Sequence, residues 1–250
     1  MTARQRTGLC AVMLVLIVGV NLAMAIEKGS AAEKKKGEEW SFTPDPKLPN
    51  VLILGDSISI GYTLEVRKLL AGKANVFRPL SKGGKDAENC SGTTFGAEKI
   101  DSWLGDKKWA VVHFNWGLHD LKHVSKEGGK PSSNPADPVQ ASLEQYSKNL
   151  EVIVKKIKAT GAKMFFATTT PVPAGCSNPL REPEAPGKYN EAAIKIMKEN
   201  GIKIDDLYSF VLPQVEKLQL PKNVHFTNEG SKTLAGQVAK TIEADLDWGK

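Results

Sequence analysis

Residues 51–59 read Val-Leu-Ile-Leu-Gly-Asp-Ser-Ile-Ser, and this stretch sets the fold class. Its first four residues are all apolar, which predicts a short strand covered on both faces of a sheet. Gly55 then allows a sharp turn, and apolar residues at helical spacing follow from Tyr62 to Leu70. Ser57 is therefore expected where a buried strand ends and an amphipathic helix begins.

The alternation of strand and helix continues along the chain. Later apolar runs predict strands, and spacings of three and four predict helices between them. The strands are Trp109–Phe114, Lys163–Thr169 and a weaker Ile202–Ile204; the helices carry Leu143, Tyr146, Leu150, Ile153 and Ile157, then Leu234, Val238, Ile242 and Leu246. This order predicts an α/β fold over residues 50–250, a three-layer α/β/α sandwich with a doubly wound, mainly parallel sheet. Active crevices of such sheets lie at the carboxyl ends of the strands.

Residues 1–25 have the pattern of a secretory signal peptide. Two arginines precede an apolar run over residues 9–20, and small residues follow at positions 23–25. An uncleaved anchor is the alternative, but Asn21 ends the run short of the ~20 residues of a spanning helix. Residues 26–49 are rich in Lys, Glu and Pro, which predicts a flexible polar linker. We expect a secreted or periplasmic protein with no stable membrane insertion after cleavage.

Size and charge narrow the function further. A chain of 250 residues with 41% hydrophobic residues can form one well-cored domain, so one active site is expected. The formal net charge is only +6, and the basic residues alternate with acidic ones instead of forming a stripe. Nucleic acid is therefore not an expected partner.

A serine hydroxyl at a helix start requires a base before it can act as a nucleophile, and the chain has four histidines. His113 lies in an apolar run and is interpreted as a core residue. His225 lies just before the last amphipathic helix, which Thr227 is expected to cap. From that loop an imidazole can reach a serine at the mouth of the sheet. The alternative is that Ser57 only caps its own helix.

Four segments together resemble the conserved blocks of the SGNH, or GDSL-like, hydrolases. They occur in the family's order and span nearly the whole predicted domain. They are Gly55-Asp56-Ser57-Ile58-Ser59, Asn89-Cys90-Ser91-Gly92, Gly117-Leu118-His119-Asp120 and Val224-His225-Phe226-Thr227. The resemblance implies a flavodoxin-like SGNH fold, Ser57 and His225 as catalytic residues, and an oxyanion hole that includes backbone N–H groups of Ser57 and Gly92. Asp56, Asp120 and Asn223 are expected to support the site.

Two positions depart from the family pattern. His119 stands where the family has an oxyanion-hole asparagine, and it can replace that donor only if its tautomer presents an N–H. Lys222 stands where the family has an acid three residues before the histidine. A backbone carbonyl, Asn223, or an acid from elsewhere such as Asp205 or Asp206 remain as groups that orient His225.

The resemblance implies hydrolysis of small acyl esters, chiefly acetyl groups on carbohydrate, without a cofactor. The partner is then a small-molecule or glycan ester, and Trp116 is either a stacking face for sugar or a core residue. The alternative is a carbohydrate-binding relative with impaired catalysis, since two supporting positions differ.

Two further expectations concern the cysteines and histidines. Cys90 and Cys176 would meet an oxidising compartment after secretion, so a disulfide near the site is predicted, with two free thiols as the alternative. His119 and His123 have the spacing of metal ligands on a helix, but the stretch lacks the glutamate of that motif. No metal is expected.

Overall fold

The computed structural model describes residues 40–126 and 129–246. The predicted signal peptide, residues 1–25, lies outside the described residues, as do residues 26–39 of the predicted linker. Within the described ranges, no helix has the length and apolar character needed to cross a bilayer.

The centre of the fold is a five-stranded sheet in which all neighbouring strands are parallel. The strand order is β2-β1-β3-β4-β5. The strands are β1 (Asn50–Leu54), β2 (Asn75–Phe77), β3 (Val111–Phe114), β4 (Lys163–Ala167) and β5 (Lys203–Asp205). The predicted fold class is confirmed; β1 is one residue longer than predicted, β3 and β4 are shorter, and β5 is shifted by one residue.

Helices connect the strands and form two layers. The first and last helices pack against each other, and the second, third and fourth pack in series. The helices are α1 (Ser57–Leu69), α2 (Thr93–Leu104), α3 (Leu143–Ala159), α4 (Ala185–Glu199), α5 (Leu207–Val211), α6 (Val215–Leu218) and α7 (Asn228–Glu243). A 3₁₀ turn, Leu212–Gln214, joins α5 to α6.

The sheet is buried between these layers. All residues of β3 and four of the five residues of β1 are buried, as expected for strands covered on both faces. Phe114 and Phe166 stack edge to face at 5.5 Å between neighbouring strands. Each large side chain removed from water contributes about 1.5–3 kcal/mol, so the sheet anchors the domain.

Residues 40–49 correct the predicted linker. Trp40 is only 8% exposed, and the Phe42 ring lies 4.9 Å from that of Phe77. The Asn75 side chain accepts a hydrogen bond from the backbone N–H of Asp45 and donates to its carbonyl. The average composition of residues 26–49 is polar, but its two aromatic residues bury enough apolar surface to fix this part on the domain.

The strand order reverses between β1 and β3, which creates a crevice. The chain leaves β1 towards β2 on one side, whereas β3 leads to β4 on the other. In open parallel sheets a ligand crevice forms at the carboxyl ends of two such strands. Ser57 follows β1 and residues 115–120 follow β3, so both lie at this point.

Candidate active site

Gly55 makes the turn that presents Ser57. Its φ is +153°, and a Cβ there would lie 2.9 Å from the Ser59 hydroxyl and 3.3 Å from the Asn115 carbonyl oxygen. Only glycine fits this close approach. Arg78, which the sequence patterns did not identify, donates to the Gly55 carbonyl at 2.5 Å and fixes the turn from beneath.

Asp56, and not Ser57, caps α1. Its Oδ1 accepts the Ile58 N–H at 2.9 Å, and the residue is buried. Burial raises the pKa of the Asp56 carboxyl, against the opposing hydrogen bond from Ile58 and the charge of Arg78. The helix start is therefore satisfied without the Ser57 hydroxyl, so the interpretation of Ser57 as a mere cap does not hold.

Ser57 and His225 are brought together by the fold. The Ser57 Oγ lies 2.8 Å from the His225 Nε2, although the two residues are 168 positions apart in the sequence. Thr227 caps α7 as predicted, by accepting the Gly230 N–H at 3.0 Å. The Gln219 amide donates to the Val224 carbonyl at 3.0 Å and holds the loop before the helix.

Asn223 orients His225. The backbone N–H of His225 can only donate, so the Asn223 atom 3.0 Å away must be the carbonyl oxygen Oδ1. The same oxygen lies 2.7 Å from Nδ1 of His225. Nδ1 therefore carries the ring hydrogen and donates it to Asn223, which leaves Nε2 as an acceptor for the Ser57 proton.

The two aspartates proposed as alternatives are used elsewhere. Asp205 lies 3.0 Å from Nε2 of His113 in the core, which also confirms the interpretation of His113 as a core residue. Asp206 accepts the Ser209 N–H and caps α5. Of the candidates named from the sequence, Asn223 is the group in contact with the imidazole.

The three candidate oxyanion donors differ in their surroundings. In the part of the chain that is described, neither the Ser57 N–H nor the Gly92 N–H has a hydrogen-bond acceptor. Gly92 is the residue that precedes α2, so its N–H belongs to the positive end of that helix. Neither N–H is therefore committed to another group, and Ser57 itself lines the cavity at this point.

His119 has the tautomer that a donor requires. Its Nδ1 lies 3.2 Å from the Lys122 ammonium, which can only donate, so Nδ1 is an acceptor and the hydrogen lies on Nε2. Burial, with the nearby charges of Lys122 and Arg181, lowers the pKa of His119 to about 3. The ring is neutral at ordinary pH, with an Nε2–H free to donate.

Asp120, in the segment 117–120, is hydrogen-bonded to Thr93, which directly follows the segment 89–92. Its Oδ1 accepts the Thr93 N–H at 2.8 Å and the Thr93 hydroxyl at 2.5 Å. Burial raises the pKa of Asp120 to about 7, and its second oxygen has no partner within the described residues. Asp120 therefore positions the loop that carries Gly92.

A cavity of about 380 Å³ opens onto Ser57, His119 and His225. Three cationic side chains and one carboxyl line it, a feature that the sequence patterns did not reveal. The lining residues are Asp56, Ser57, Asn89, Leu118, His119, Lys122, Pro131, Cys176, Asn178, Pro179, Arg181, Lys222, Asn223, Val224 and His225. A larger groove of about 600 Å³ along α4 and α5 contains neither Ser57 nor His225.

The predicted disulfide is absent. Cys90 and Cys176 are both free and buried. Burial raises the pKa of the Cys90 thiol to about 11 against the opposing charge of Arg78, whereas the Cys176 thiol contacts Arg181. The two thiols have different neighbours. Their positions in two loops beside the same site therefore did not place them in a disulfide.

Trp116 and the remaining histidine also have structural roles. Trp116 is 0% exposed and donates its indole N–H to the Cys90 carbonyl at 3.2 Å, so it is a core residue and offers no face to sugar. His123 lies 2.7 Å from the Asp137 carbonyl oxygen through Nδ1. Within residues 40–126 and 129–246, no three His, Cys, Asp or Glu side chains converge as metal ligands.

Comparisons with known proteins agree with this geometry. The profile of the GDSL-like Lipase/Acylhydrolase family matches residues 53–233. The chain therefore belongs to the GDSL-like lipase/acylhydrolase family, and with it to the SGNH class of serine ester hydrolases. No curated protein matches the chain significantly by sequence.

Solved structures show the same fold at low identity. A lipase/acylhydrolase from Enterococcus faecalis has a TM-score of 0.62 and 16% identity, covering 81% of this chain and 99% of that protein. A putative GDSL-like lipase from Parabacteroides merdae has a TM-score of 0.63 and 14% identity, covering 82% and 98%. The acetyl xylan esterase AlAXEase has a TM-score of 0.60 and 14% identity, covering 77% and 99%.

Proposed function

We propose that this protein is a secreted serine esterase that removes small acyl groups, chiefly acetyl, from carbohydrate through an acyl-enzyme on Ser57. The observation that carries the proposal is the 2.8 Å contact between Ser57 Oγ and His225 Nε2, at the mouth of the cavity. A hydroxyl that donates to a correctly tautomerised imidazole is the arrangement that nucleophilic acyl transfer requires.

In the first step, Ser57 Oγ attacks the ester carbonyl carbon while His225 Nε2 takes its proton. The Asn223 oxygen keeps the imidazole in place through Nδ1–H. The negative charge on the former carbonyl oxygen is held by the N–H groups of Ser57 and Gly92 and by the Nε2–H of His119.

In the second half of the reaction, the ester C–O bond breaks and protonated His225 gives its proton to the departing alcohol. Water then attacks the acyl carbon while His225 accepts a proton from it, and the bond from that carbon to Ser57 Oγ breaks as His225 returns the proton to Oγ and the free acid leaves. Asn223 is neutral and contributes orientation without the charge that a carboxylate would offer to the imidazolium.

The acyl and alcohol portions are inferred from several features together. A cavity of about 380 Å³ suits a short acyl group better than a long chain. A fold relative carries the name acetyl xylan esterase. The apolar run and small residues within positions 1–25 support secretion, where glycans are abundant substrates.

A glycan-binding protein with impaired turnover is the second candidate. It is favoured by one observation, the neutral Asn223 in contact with His225 where an acid would stabilise the imidazolium. It has no use for the Ser57–His225 contact, which is why the esterase is the stronger proposal.

The test is labelling with a fluorophosphonate probe, followed by mapping of the modified residue, together with 4-nitrophenyl acetate turnover. We expect the label on Ser57 and a fall in turnover of about 10³-fold or more in Ser57→Ala. Ser147→Ala, at a half-buried position of α3 outside the cavity lining, is the matched control and should keep both signals. Labelling elsewhere, or undiminished turnover in Ser57→Ala, would contradict the mechanism; glycan binding without turnover in the wild type would favour the second candidate.

A further inference from the structure

The cavity beside Ser57 is strongly cationic. Lys122, Arg181 and Lys222 line it, and Asp56 is the one carboxyl among its lining residues. Asp56 uses Oδ1 to cap α1, so that oxygen is already engaged. The cations therefore face the substrate space without an equal number of acids.

Arg181 is the deepest of the three. It is 8% exposed, and its Nε donates to the Leu118 carbonyl at 2.8 Å. The guanidinium also contacts the Cys176 thiol and feels the charge of Asp56, but among the described residues no carboxylate lies within ion-pair distance of it. A buried charge without a paired anion is costly, and a planar guanidinium is suited to grip a carboxylate or sulfate with two N–H groups.

Lys222 and Lys122 line the same cavity as this guanidinium. Lys222 has a left-handed φ of +54°, which is uncommon for a residue with a side chain. Its methylene carbons lie 3.2–3.6 Å from where a Cβ of Gly175 would stand, so the exposed side chain packs along that loop. Lys122 is committed to Nδ1 of His119 at 3.2 Å. Arg181 and Lys222 thus remain for a ligand.

We propose that the ester hydrolysed here bears an anionic group, a carboxylate or a sulfate, close to the scissile bond, and that Arg181 and Lys222 bind it. This inference rests on the proposed esterase function and names its substrate class. The anion can belong to the acyl portion or to the alcohol portion, for instance an acidic glycan.

The experiment compares matched esters that differ in one charge. The acyl arm uses mono-4-nitrophenyl succinate against its methyl ester, and the alcohol arm uses 4-acetoxybenzoate against methyl 4-acetoxybenzoate. In one arm we expect kcat/KM to be about ten-fold or more higher for the anionic ester, mainly through KM, with the preference falling as salt is added.

Variants assign the preference to residues. Arg181→Gln should reduce the ratio of anionic to neutral kcat/KM by about ten-fold, and Lys222→Gln should reduce it by a smaller factor. Lys240→Gln, at an exposed position in the last turn of α7, removes the same charge far from the cavity and should leave the ratio unchanged. Because Arg181 is buried, Lys222→Gln decides the outcome if Arg181→Gln fails to fold.

Equal or poorer hydrolysis of the anionic ester in both arms would overturn the inference while leaving the esterase function intact. An anionic preference that survives in Lys222→Gln and in folded Arg181→Gln would also overturn it. Hydrolysis of none of the four esters or of 4-nitrophenyl acetate would instead remove the proposed function, and this inference with it.

Discussion

Asn223 gives this site its individual character. A single oxygen accepts both the backbone N–H and the ring N–H of His225, so two bonds set the orientation of the imidazole. The bonds supply geometry but no charge. An aspartate in the same place would both orient the imidazole and stabilise its protonated form, whereas Asn223 only orients it.

Asn223→Asp should therefore raise kcat/KM for 4-nitrophenyl acetate, by about ten-fold at most because the residue is exposed and screened by solvent. The carboxylate keeps both acceptor positions and favours the protonated imidazole that forms during attack. The acidic limb of the pH–rate profile should move to higher pH for the same reason. Asn223→Ala is the control and should lower kcat/KM; an unchanged profile in Asn223→Asp would show that Asn223 does not act on His225.

Some side chains of the site could be predicted from the sequence and others could not. Ser57 and His225 each stand directly beside a secondary-structure boundary, where local patterns are informative. Arg181 and Lys222 lie in long connections whose path over the strand ends depends on tertiary packing. The tautomer of His119 depends on Lys122, a neighbour that only coordinates reveal.

Strand ends and their glycines fix how the secondary-structure elements meet. Gly117, after β3, has a φ of +158°, and a Cβ there would lie 2.0 Å from the Thr169 hydroxyl after β4. That hydroxyl donates to the Trp116 carbonyl at 3.2 Å and cannot move away freely. By contrast, a Cβ at Gly236 in α7 would meet nothing within 4 Å.

Two Gly→Ala substitutions should thus have opposite effects on the free energy of unfolding. Gly236→Ala should raise it by about 0.5–1 kcal/mol, because alanine loses less backbone entropy in a helix. Gly117→Ala should lower it by about 2 kcal/mol or more through the clash and the strained φ. Urea unfolding of both variants measures the difference, and changes of the same sign would contradict the assignment of Gly117 as a close-contact position.

The elements missed from the sequence share a physical reason. β2 has only three residues, too few to show a period. α2 begins with two threonines and contains Gly96, and α4 begins with Ala185-Pro186-Gly187, so neither starts with the helix propensity of α3. Packing of their apolar faces on the sheet stabilises them despite weak local signals.

The stability of the entire domain depends on pH in part through two buried carboxyls, Asp205 and Asp120, whose pKa values are shifted in opposite directions. Burial raises the pKa of Asp205, but bonds from His113, Gln237 and Thr241 outweigh burial, so that its pKa is lowered from 3.8. Its contribution is present above its unfolded pKa and is lost only as pH falls through the lower folded value. The pKa of Asp120 is shifted in the opposite direction, because burial raises it from 3.8 to about 7.

Asp120 should reduce stability as pH rises from about 4 to about 7, because the unfolded carboxyl ionises in that window while the folded one keeps its proton. Asp120→Asn has no proton to lose and should abolish this decline. We expect the Tm difference between variant and wild type to be more favourable to the variant at pH 8 than at pH 4.5. An identical difference at both pH values, measured by calorimetry, would refute a raised Asp120 pKa.

At the start of α1, Asp56 caps the helix and Ser57 contacts His225, so the two functions belong to different side chains. Because the capping bond comes from Asp56, the hydroxyl of Ser57 can be deleted while the Ile58 N–H keeps its acceptor. Ser57→Ala should accordingly be a well-folded, inert bait whose cavity still recognises the natural ester but cannot consume it. Incubation of that variant with acylated glycan fractions, followed by mass spectrometry of what is retained, would lead directly from this helix cap to the physiological substrate.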